Sequence, residues 1–361
     1  MFNLSDNMDY KISVIIPVYN AEKTLTNAVD SILTQNWDGD FEKDIEIILV
    51  NDNSSDGSLD IIKKLSEKHD NISYYSFDDN SGFGGRGRNK GISLAKGRYI
   101  VLMDNDDIYL QDAFQTFYDT IKEAGSDMVC GNYKTDFLEE RLYCPKGYDQ
   151  DRTFNPHKNQ KIFDIVMLMC SAAPWAKIYD KKFLNENNLK FIEDSQFDDI
   201  DFFLKCILTS EKITILPKTY VYLYYTYASS LVRKHDKKHF DIRLKTMNDI
   251  DQLIEGHGLS SEAFSRFNTR ELFLMIANAQ GDRKTIFEMM KDVYDYEHKF
   301  GMFNFDEPEL NLLNKFIMKK NFTVAFLISK FYALLYNNSF IKKVYRSRNN
   351  IKKQSRIDNV N

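Results

Sequence analysis

The chain contains 361 residues, of which 43% are hydrophobic and 28% are charged, and its formal net charge at pH 7 is −5. This composition is typical of a folded protein with one large domain and an appendage, or with two domains. It gives no global signal for a basic nucleic-acid-binding protein, so we expect no nucleic-acid partner.

The four cysteines stand far apart in the sequence and form no C-x-x-C pair. This spacing favours reduced core thiols over disulfides or a metal site. The first residues lack the basic-then-apolar order of a signal peptide, and no apolar run reaches the length of a transmembrane helix. We therefore expect a cytoplasmic protein.

Residues 11–130 alternate between apolar runs and amphipathic segments, which predicts strands and helices in turn. The predicted strands are KISVIIPVYN, IEIILVNDNSSDG with its polar turn, NISYYSF and RYIVLMD. The predicted helices are AEKTLTNAVDSILTQ, SLDIIKKLSEKH with Ser58 or Asp56 as its cap, and GRNKGISLAKG, closed by Gly97. This order predicts a parallel sheet of βαβ units, with ligands bound beyond the carboxyl ends of the strands. Polar residues cluster at those ends, at positions 19–20, 52–56, 78–80 and 104–107.

The glycine-rich segment SGFGGRGRNKG resembles a dinucleotide-binding fingerprint, because Gly82, Gly84 and Gly87 spell G-x-G-x-x-G. Its context argues against an NAD site, since the polar residues DDNS separate it from its strand and two βα units precede it. We still expect these glycines to let the backbone approach a nucleotide.

The acidic run 104–107, Asp-Asn-Asp-Asp, follows a predicted buried strand. Its carboxylates repel one another unless a cation neutralises them. A D-x-D at this place suits Mg²⁺ or Mn²⁺, which prefer oxygen ligands and often share them with substrate phosphates. The alternative is an Asp-rich turn without a ligand.

Short elements in a fixed order extend this pattern through the first two thirds of the chain. They are VIIPVYN at 14–20, NDNSSDG at 51–57, the segment 80–91, LMDNDD at 102–107, and Asp198-Asp199 within FDDIDFF. Together they resemble the inverting family-2 glycosyltransferases of GT-A fold, which transfer sugars from nucleotide diphosphates. The resemblance covers residues 11 to about 235, and the helical pattern beyond it lies outside.

The resemblance implies an α/β GT-A fold, a Rossmann-like, mostly parallel sheet flanked by helices, with a C-terminal helical region. It places an N-terminal extension at 1–10 and a catalytic domain at 11–235, with a nucleotide-binding part (11–130) and an acceptor-side part (131–235). The remaining segments are a helical domain (236–340) and a basic tail (341–361).

The resemblance also assigns the donor site. Asp52 would accept a hydrogen bond from the N3–H of uracil, and its alternative role is a turn cap. Asp104 would contact ribose or a metal-bound water, and Asp106 would bind Mn²⁺ or Mg²⁺, which neutralises the leaving diphosphate. Arg88 would add a positive charge there, unless it is a solvated arginine at a helix start. The other expected donor-site residues are Pro17, Val18, Tyr19, Asn80 and Asn105.

On the acceptor side, the resemblance makes Asp199 the general base, with a pKa raised by Asp198 or Asp201. Because Asp198 stands where the family has Glu, this assignment depends on the register, and a helix cap is the alternative. Trp175 and Lys177 would contact the acceptor, with core packing as the alternative for Trp175. The remaining expected site residues follow a turn: Arg233, for the diphosphate, and His235, as a third metal ligand or a surface histidine.

Two further departures from the family pattern affect these assignments. Asn51 replaces the first acid of the second-strand element, which moves base reading to Asp52. Gly87 replaces the alanine that the family prefers before Arg-Asn, which could change how this loop meets the diphosphate.

These features predict a metal-dependent transferase that moves a sugar from a UDP-sugar to a hydroxyl of a cell-surface glycan. The acceptor would be capsular polysaccharide or exopolysaccharide, teichoic acid or a lipid-linked oligosaccharide. The alternatives are a sugar-phosphate nucleotidylyltransferase and a catalytically silent glycan-binding scaffold. The first would require a glycine-rich, basic loop after the first strand, where the chain instead has PVYNAEKT.

The C-terminal end combines apolar and basic residues. The segment 322–336, FTVAFLISKFYALLY, is too short to span a bilayer, and lysines and arginines flank it. This pattern predicts peripheral association with an anionic membrane surface at the inner face of the plasma membrane. The alternative is a buried closing helix with a solvated tail, and the helical region is also a candidate for homo-oligomer contacts.

Overall fold

A computed structural model describes residues 10–135, 147–193, 198–225, 236–279, 281–305 and 308–337. The chain divides into two compact units. The first comprises Met1–Val232 with Gly256–Leu259, and the second comprises Arg233–Glu255 with Ser260–Asn361.

The described part of the first unit is built on one sheet in the order β3-β2-β1-β4-β8-β6-β9-β5, with β7 paired to β9. Its strands are β1 (Tyr10–Val18), β2 (Ile45–Asn51), β3 (Ile72–Ser76), β4 (Gly97–Leu102), β5 (Ile108–Tyr109), β6 (Met128–Thr135), β7 (Arg152–Phe154), β8 (Lys177–Asp180) and β9 (Ile213–Tyr224). The first four strands along the chain are mutually parallel, as predicted. Strand β8 runs antiparallel to both β4 and β6, while β6 and β9 are parallel. The predicted α/β fold is confirmed.

Helices cover this sheet and supply its core. They are α1 (Leu25–Leu33), α2 (Phe41–Asp44), α3 (Ser58–Lys68), α4 (Gly84–Leu94), α5 (Ala113–Ala124), α6 (Gln160–Met169), α7 (Lys181–Glu186) and α8 (Asp198–Thr209). Alternate residues of β1 (Ile12, Val14, Ile16 and Val18) belong to the apolar core that also contains buried residues of α1, α3 and α5. At the start of α3, Asp56 Oδ1 accepts hydrogen bonds from the backbone and hydroxyl of Ser58, but the N-cap residue is Gly57, so the prediction of Ser58 or Asp56 as the cap is wrong.

Helix α4 packs on the opposite side of β1 through its glycines. A Cβ at Gly91 would lie 2.2 Å from Ile15 Cγ2, and one at Gly87 would lie 3.0 Å from Pro17 Cβ. The close packing requires glycine at these positions. The helix begins at Gly84, earlier than predicted, and ends at Leu94. The expectation that Gly97 closes it is wrong, because Gly97 opens β4, where its N–H donates to Ser13 Oγ.

The second unit is helical over its described residues. Its helices are α9 (Lys237–Gly256), α10 (Glu262–Asn278), α11 (Arg283–Glu297), α12 (Pro308–Met318) and α13 (Phe322–Asn337). Helix α13 buries Ala325, Ser329 and Tyr332 but leaves Leu327 and Phe331 exposed. None of the helices in the described residues is both long and apolar enough to span a bilayer. The basic tail lies outside the described residues.

Candidate active site

The loops that follow β1, β2 and β4 are joined by hydrogen bonds at one edge of the sheet. The N–H of Asp52 donates to the carbonyl of Val18 over 2.8 Å, and Asn105 Nδ2 donates to the carbonyl of Pro17 over 2.9 Å. The side chain of Val18 is buried in the core, so only its backbone remains to meet a base, whereas Tyr19 is half exposed. Parallel strands thus bring the predicted donor residues together.

Asp52 is buried and accepts hydrogen bonds at both carboxylate oxygens. Its Oδ2 accepts from Asn80 Nδ2 at 2.9 Å, from the backbone of Ser81 at 3.0 Å and from Ser81 Oγ at 2.8 Å. Its Oδ1 accepts from Arg86 Nη2 at 2.6 Å. The guanidinium of Arg86 also lies 3.9 Å from the centre of the Phe77 ring. Sequence reasoning missed Arg86, although the unusual Gly-Arg-Gly triplet contains it.

The Tyr222 hydroxyl hydrogen-bonds two residues of the D-x-D loop, Asp104 and Asp107. The N–H of Asp104 donates to the Tyr222 hydroxyl over 3.2 Å, and that hydroxyl donates to Asp107 Oδ2 over 2.9 Å. Burial, together with the neighbouring Asp104 carboxylate, raises the pKa of Asp107 to about 9. Asp107 therefore has a structural role beneath the loop.

Asp106 is the second acid of the D-x-D loop and is partly buried. Burial and the charge of Asp104 raise the pKa of Asp106 to about 6, and none of the described residues supplies a positive charge that offsets this shift. Among the described residues, no group of three or more His, Cys, Asp and Glu side chains is arranged as a metal site. Asp104 and Asp106 nevertheless fit Mg²⁺ or Mn²⁺, because these ions commonly use one or two carboxylates and complete their ligands with substrate phosphate.

Arg88 lies at the centre of the site and is buried. Its Nη1 donates to Asp198 Oδ2 and to Asp199 Oδ1, both over 2.9 Å, and its Nη2 donates to Asp104 Oδ1 over 2.8 Å. Burial opposes the charge on Arg88, but the three carboxylates outweigh it and raise the pKa of the guanidinium. The alternative of a solvated arginine is therefore wrong.

Asp198 and Asp199 begin α8 and differ in exposure. The side chain of Asp199 is 32% exposed, whereas that of Asp198 is 6% exposed. Although the side chain is partly exposed, the surrounding protein desolvates its carboxyl group and raises the pKa of Asp199 to about 8; Arg88 opposes this shift, and the charge of Asp198 adds to it. Repulsion by Asp198 thus contributes as expected but is secondary, while Asp201 pairs with Lys205. Of the two adjacent acids, Asp199 is the accessible one.

Trp175 and Lys177 are both buried, so the expectation that they contact an acceptor is wrong for their side chains. Trp175 stacks on Tyr222 with ring centres 4.6 Å apart, and the edge of Tyr133 packs against it at 4.8 Å. The Lys177 ammonium donates to the carbonyl of Ala173 over 2.6 Å. Trp175 therefore packs against Tyr222, the residue that hydrogen-bonds the D-x-D loop. The expected residues Arg233 and His235 lie outside the described residues.

Comparison with known proteins agrees with this arrangement. The model of the family "Glycosyl transferase family 2" matches residues 13–178. Glycosyltransferase GlyG of Streptococcus pneumoniae is 30% identical over 235 residues, which cover 63% of this chain and 74% of GlyG. The chain belongs to glycosyltransferase family 2.

Two further relatives are longer than the chain. GlyA of S. pneumoniae is 31% identical over 283 residues, which cover 76% of this chain but 39% of GlyA. The poly(ribitol-phosphate) β-glucosyltransferase of Bacillus spizizenii is 40% identical over 124 residues, or 34% of this chain and 19% of that protein. The chain therefore spans less than half the length of these two relatives.

A solved structure shares the fold. The crystal structure of S. aureus TarS 1–349 in complex with UDP-GlcNAc superposes with a TM-score of 0.64 and 20% identity, covering 89% of this chain and 91% of that one. The likeness confirms the predicted GT-A fold.

Proposed function

We propose that this family-2 chain is an inverting, metal-dependent glycosyltransferase that moves a sugar from a UDP-sugar to a hydroxyl of a bacterial surface glycan. One observation carries the proposal. The accessible carboxylate of Asp199 and the D-x-D residue Asp104 bind the same buried guanidinium, with distances of 2.9 and 2.8 Å to Arg88. A candidate acceptor base thus stands directly beside the candidate donor loop.

Asp199 is proposed as the general base. Single displacement requires a group that takes the proton of the acceptor hydroxyl on the side opposite the leaving diphosphate. A carboxylate with a pKa of about 8 is more basic than an ordinary aspartate, and the Asp199 side chain is 32% exposed, which would let an acceptor reach it. Asp198, which is almost fully buried, is proposed to support Asp199.

The pair Asp52 and Arg86 is proposed to read the base of the donor. Uracil presents an N3–H donor between two carbonyl acceptors, which matches a carboxylate acceptor beside a guanidinium donor. Asp52 Oδ1 accepts only from Arg86 within the described residues, so this oxygen keeps capacity for a further hydrogen bond. The complex of TarS with UDP-GlcNAc supports a uridine donor in this fold.

The carboxylates of Asp106 and Asp104 are proposed to hold Mg²⁺ or Mn²⁺. Such an ion, when bound, supplies charge that stabilises the leaving diphosphate. The raised pKa of Asp106 supports this role, because it reports negative charge that the described residues leave uncompensated.

The acceptor is proposed to be a polyol-phosphate or polysaccharide chain of the cell envelope. The support comes from relatives named for such polymers, the poly(ribitol-phosphate) β-glucosyltransferase and the minor teichoic acid biosynthesis protein GgaB of Bacillus subtilis. The basic C-terminal segment is proposed to bring the protein to an anionic membrane or polymer surface.

Release of UDP from a panel of UDP-sugars tests the proposal. We expect release with at least one sugar, stimulation by an envelope-polymer acceptor, and loss after EDTA with recovery on adding Mn²⁺. Asp199→Asn should abolish transfer but keep UDP binding. Absence of release with every UDP-sugar, with Mn²⁺ and acceptor present, would contradict the proposed function.

A further inference from the structure

The feature with the most unusual charge arrangement among the described residues is the single guanidinium of Arg88 among three carboxylates. Asp104 follows β4, whereas Asp198 and Asp199 begin α8, so Arg88 joins residues that are distant in sequence. The side chain of Arg88 is 7% exposed. It is therefore enclosed by protein and presents little surface to a donor.

Arg88 hydrogen-bonds only one carboxylate oxygen each of Asp104 and Asp199. Arg88 engages Oδ1 of Asp104 and Oδ1 of Asp199, and no hydrogen bond from the described residues reaches the second oxygen of either. The Asp104 and Asp199 side chains are 29% and 32% exposed, respectively. Each of them can therefore be fixed through one oxygen and act through the other.

The glycines before Arg88 make room for this arrangement. A Cβ at Gly84 would lie 2.7 Å from Arg88 Nη1, and a Cβ at Gly85 would lie 2.3 Å from the carbonyl oxygen of Ile192 and 3.1 Å from Asp198 Oδ2. The ring of Phe191 lies 5.4 Å from the guanidinium carbon. The glycines that resemble a nucleotide-binding loop thus form a cradle for the arginine and its partners.

We propose that Arg88 is a positioning residue that fixes the donor loop and the acceptor base relative to each other. The inference rests on the proposed function and assigns Arg88 no contact with substrate. An arginine suits this role because its planar fork can bond carboxylates on two sides at once, whereas a lysine offers a single nitrogen. It replaces the expected role of Arg88 as a contact to the diphosphate.

Arg88→Lys tests the proposal, because it keeps the charge but removes the fork. Misplacement of reacting groups by about 1 Å can cost about 100-fold in rate, and we expect a loss of this size in kcat for transfer. The Kd for UDP, measured by calorimetry with Mg²⁺, should stay within about threefold of wild type, because ground-state donor contacts remain. Arg86→Lys is the matched control on the same helix, and it should instead weaken UDP binding.

Gly84→Ala provides a second test that keeps the arginine. Its Cβ would push the guanidinium away from the carboxylates, so kcat should again fall while UDP affinity and the melting temperature stay near wild type. The proposal is overturned if Arg88→Lys and Gly84→Ala both retain wild-type kcat, or if Arg88→Lys weakens UDP binding as strongly as it lowers kcat. It is also overturned if the melting temperature collapses in both variants and activity falls only with the folded fraction.

The wild-type protein separates this inference from the proposed function. Transfer by wild type together with unchanged kinetics in both variants would refute the role of Arg88 alone. Absence of transfer by wild type with every UDP-sugar would refute the proposed function and, with it, this inference.

Discussion

The rate of sugar transfer should rise with pH between 7 and 9 if Asp199 is the general base proposed above, because a carboxyl group accepts a proton only when ionised. With a pKa of about 8 for this carboxyl group, about 10% of the enzyme is ionised at pH 7 and about 90% at pH 9. The kcat/KM for the acceptor should therefore increase about tenfold over this interval and level off above it. The measurement requires saturating UDP-sugar and Mg²⁺, so that ionisation of the donor loop does not contribute.

A substitution at the neighbouring Asp198 shows whether the pH dependence comes from Asp199 or from an unrelated group. The charge of Asp198 raises the pKa of Asp199, so Asp198→Asn should move the midpoint of the profile to lower pH. Asp199→Asn should abolish transfer at every pH while UDP still binds. A profile that is flat from pH 6 to 9, or a midpoint that does not move in Asp198→Asn, would refute the assignment of the base.

The other predictions concern the metal, the base of the donor, the second unit and the tail. Asp106→Asn and Asp104→Asn should lower turnover by orders of magnitude and weaken Mg²⁺-dependent UDP binding in calorimetry; full activity of both variants would contradict the metal site. Arg86→Ala should raise the KM for UDP-sugars with a smaller effect on kcat, and an unchanged KM would contradict its role at uracil. Burial raises the pKa of Glu297 from 4.5 to about 7, so the folded state holds its proton more tightly, and stability should fall by about 3 kcal/mol as pH rises from 4.5 through 7. Glu297→Gln should reduce this fall in urea titrations, and an equally steep fall in the variant would assign it to other groups. Deletion of residues 338–361 should reduce flotation with anionic liposomes at low salt; equal flotation of both forms would leave the tail without a membrane role.

The sequence was sufficient to predict strands β1 to β4 and the polar residues at their ends, because both depend on local patterns, whereas β5 to β9 were not predicted. The apolar run of β1 and the acids after β2 and β4 lie where the βαβ alternation places them. The choice between Asp198 and Asp199 depended on register in the sequence, whereas their exposures of 6% and 32% distinguish them in the structure.

Local sequence patterns do not predict contacts between segments that are distant in the chain. Trp175 was ambiguous because the rings that cover it, Tyr222 and Tyr224, belong to a strand much later in the chain. Arg86 was missed because its partner Asp52 lies 34 residues earlier. The glycines of α4 matched a phosphate-binding pattern, but their close neighbours are Pro17, β1 and the segment before α8.

The charges around Arg88 bear on the proposed metal ion. One buried guanidinium faces the carboxylates of Asp104, Asp198 and Asp199, and Asp106 adds another acid nearby. Buried carboxylates in excess of their cations respond by taking up protons, which is the direction of the raised pKa values at Asp106 and Asp199. A divalent ion on the donor loop would offset the same excess of negative charge. Mg²⁺ and protons should therefore compete for the Asp106 carboxylate. The affinity for Mg²⁺ in the presence of a UDP-sugar, whose diphosphate does not titrate in this range, should therefore increase as pH rises through 6 in wild type and lose this dependence in Asp106→Asn.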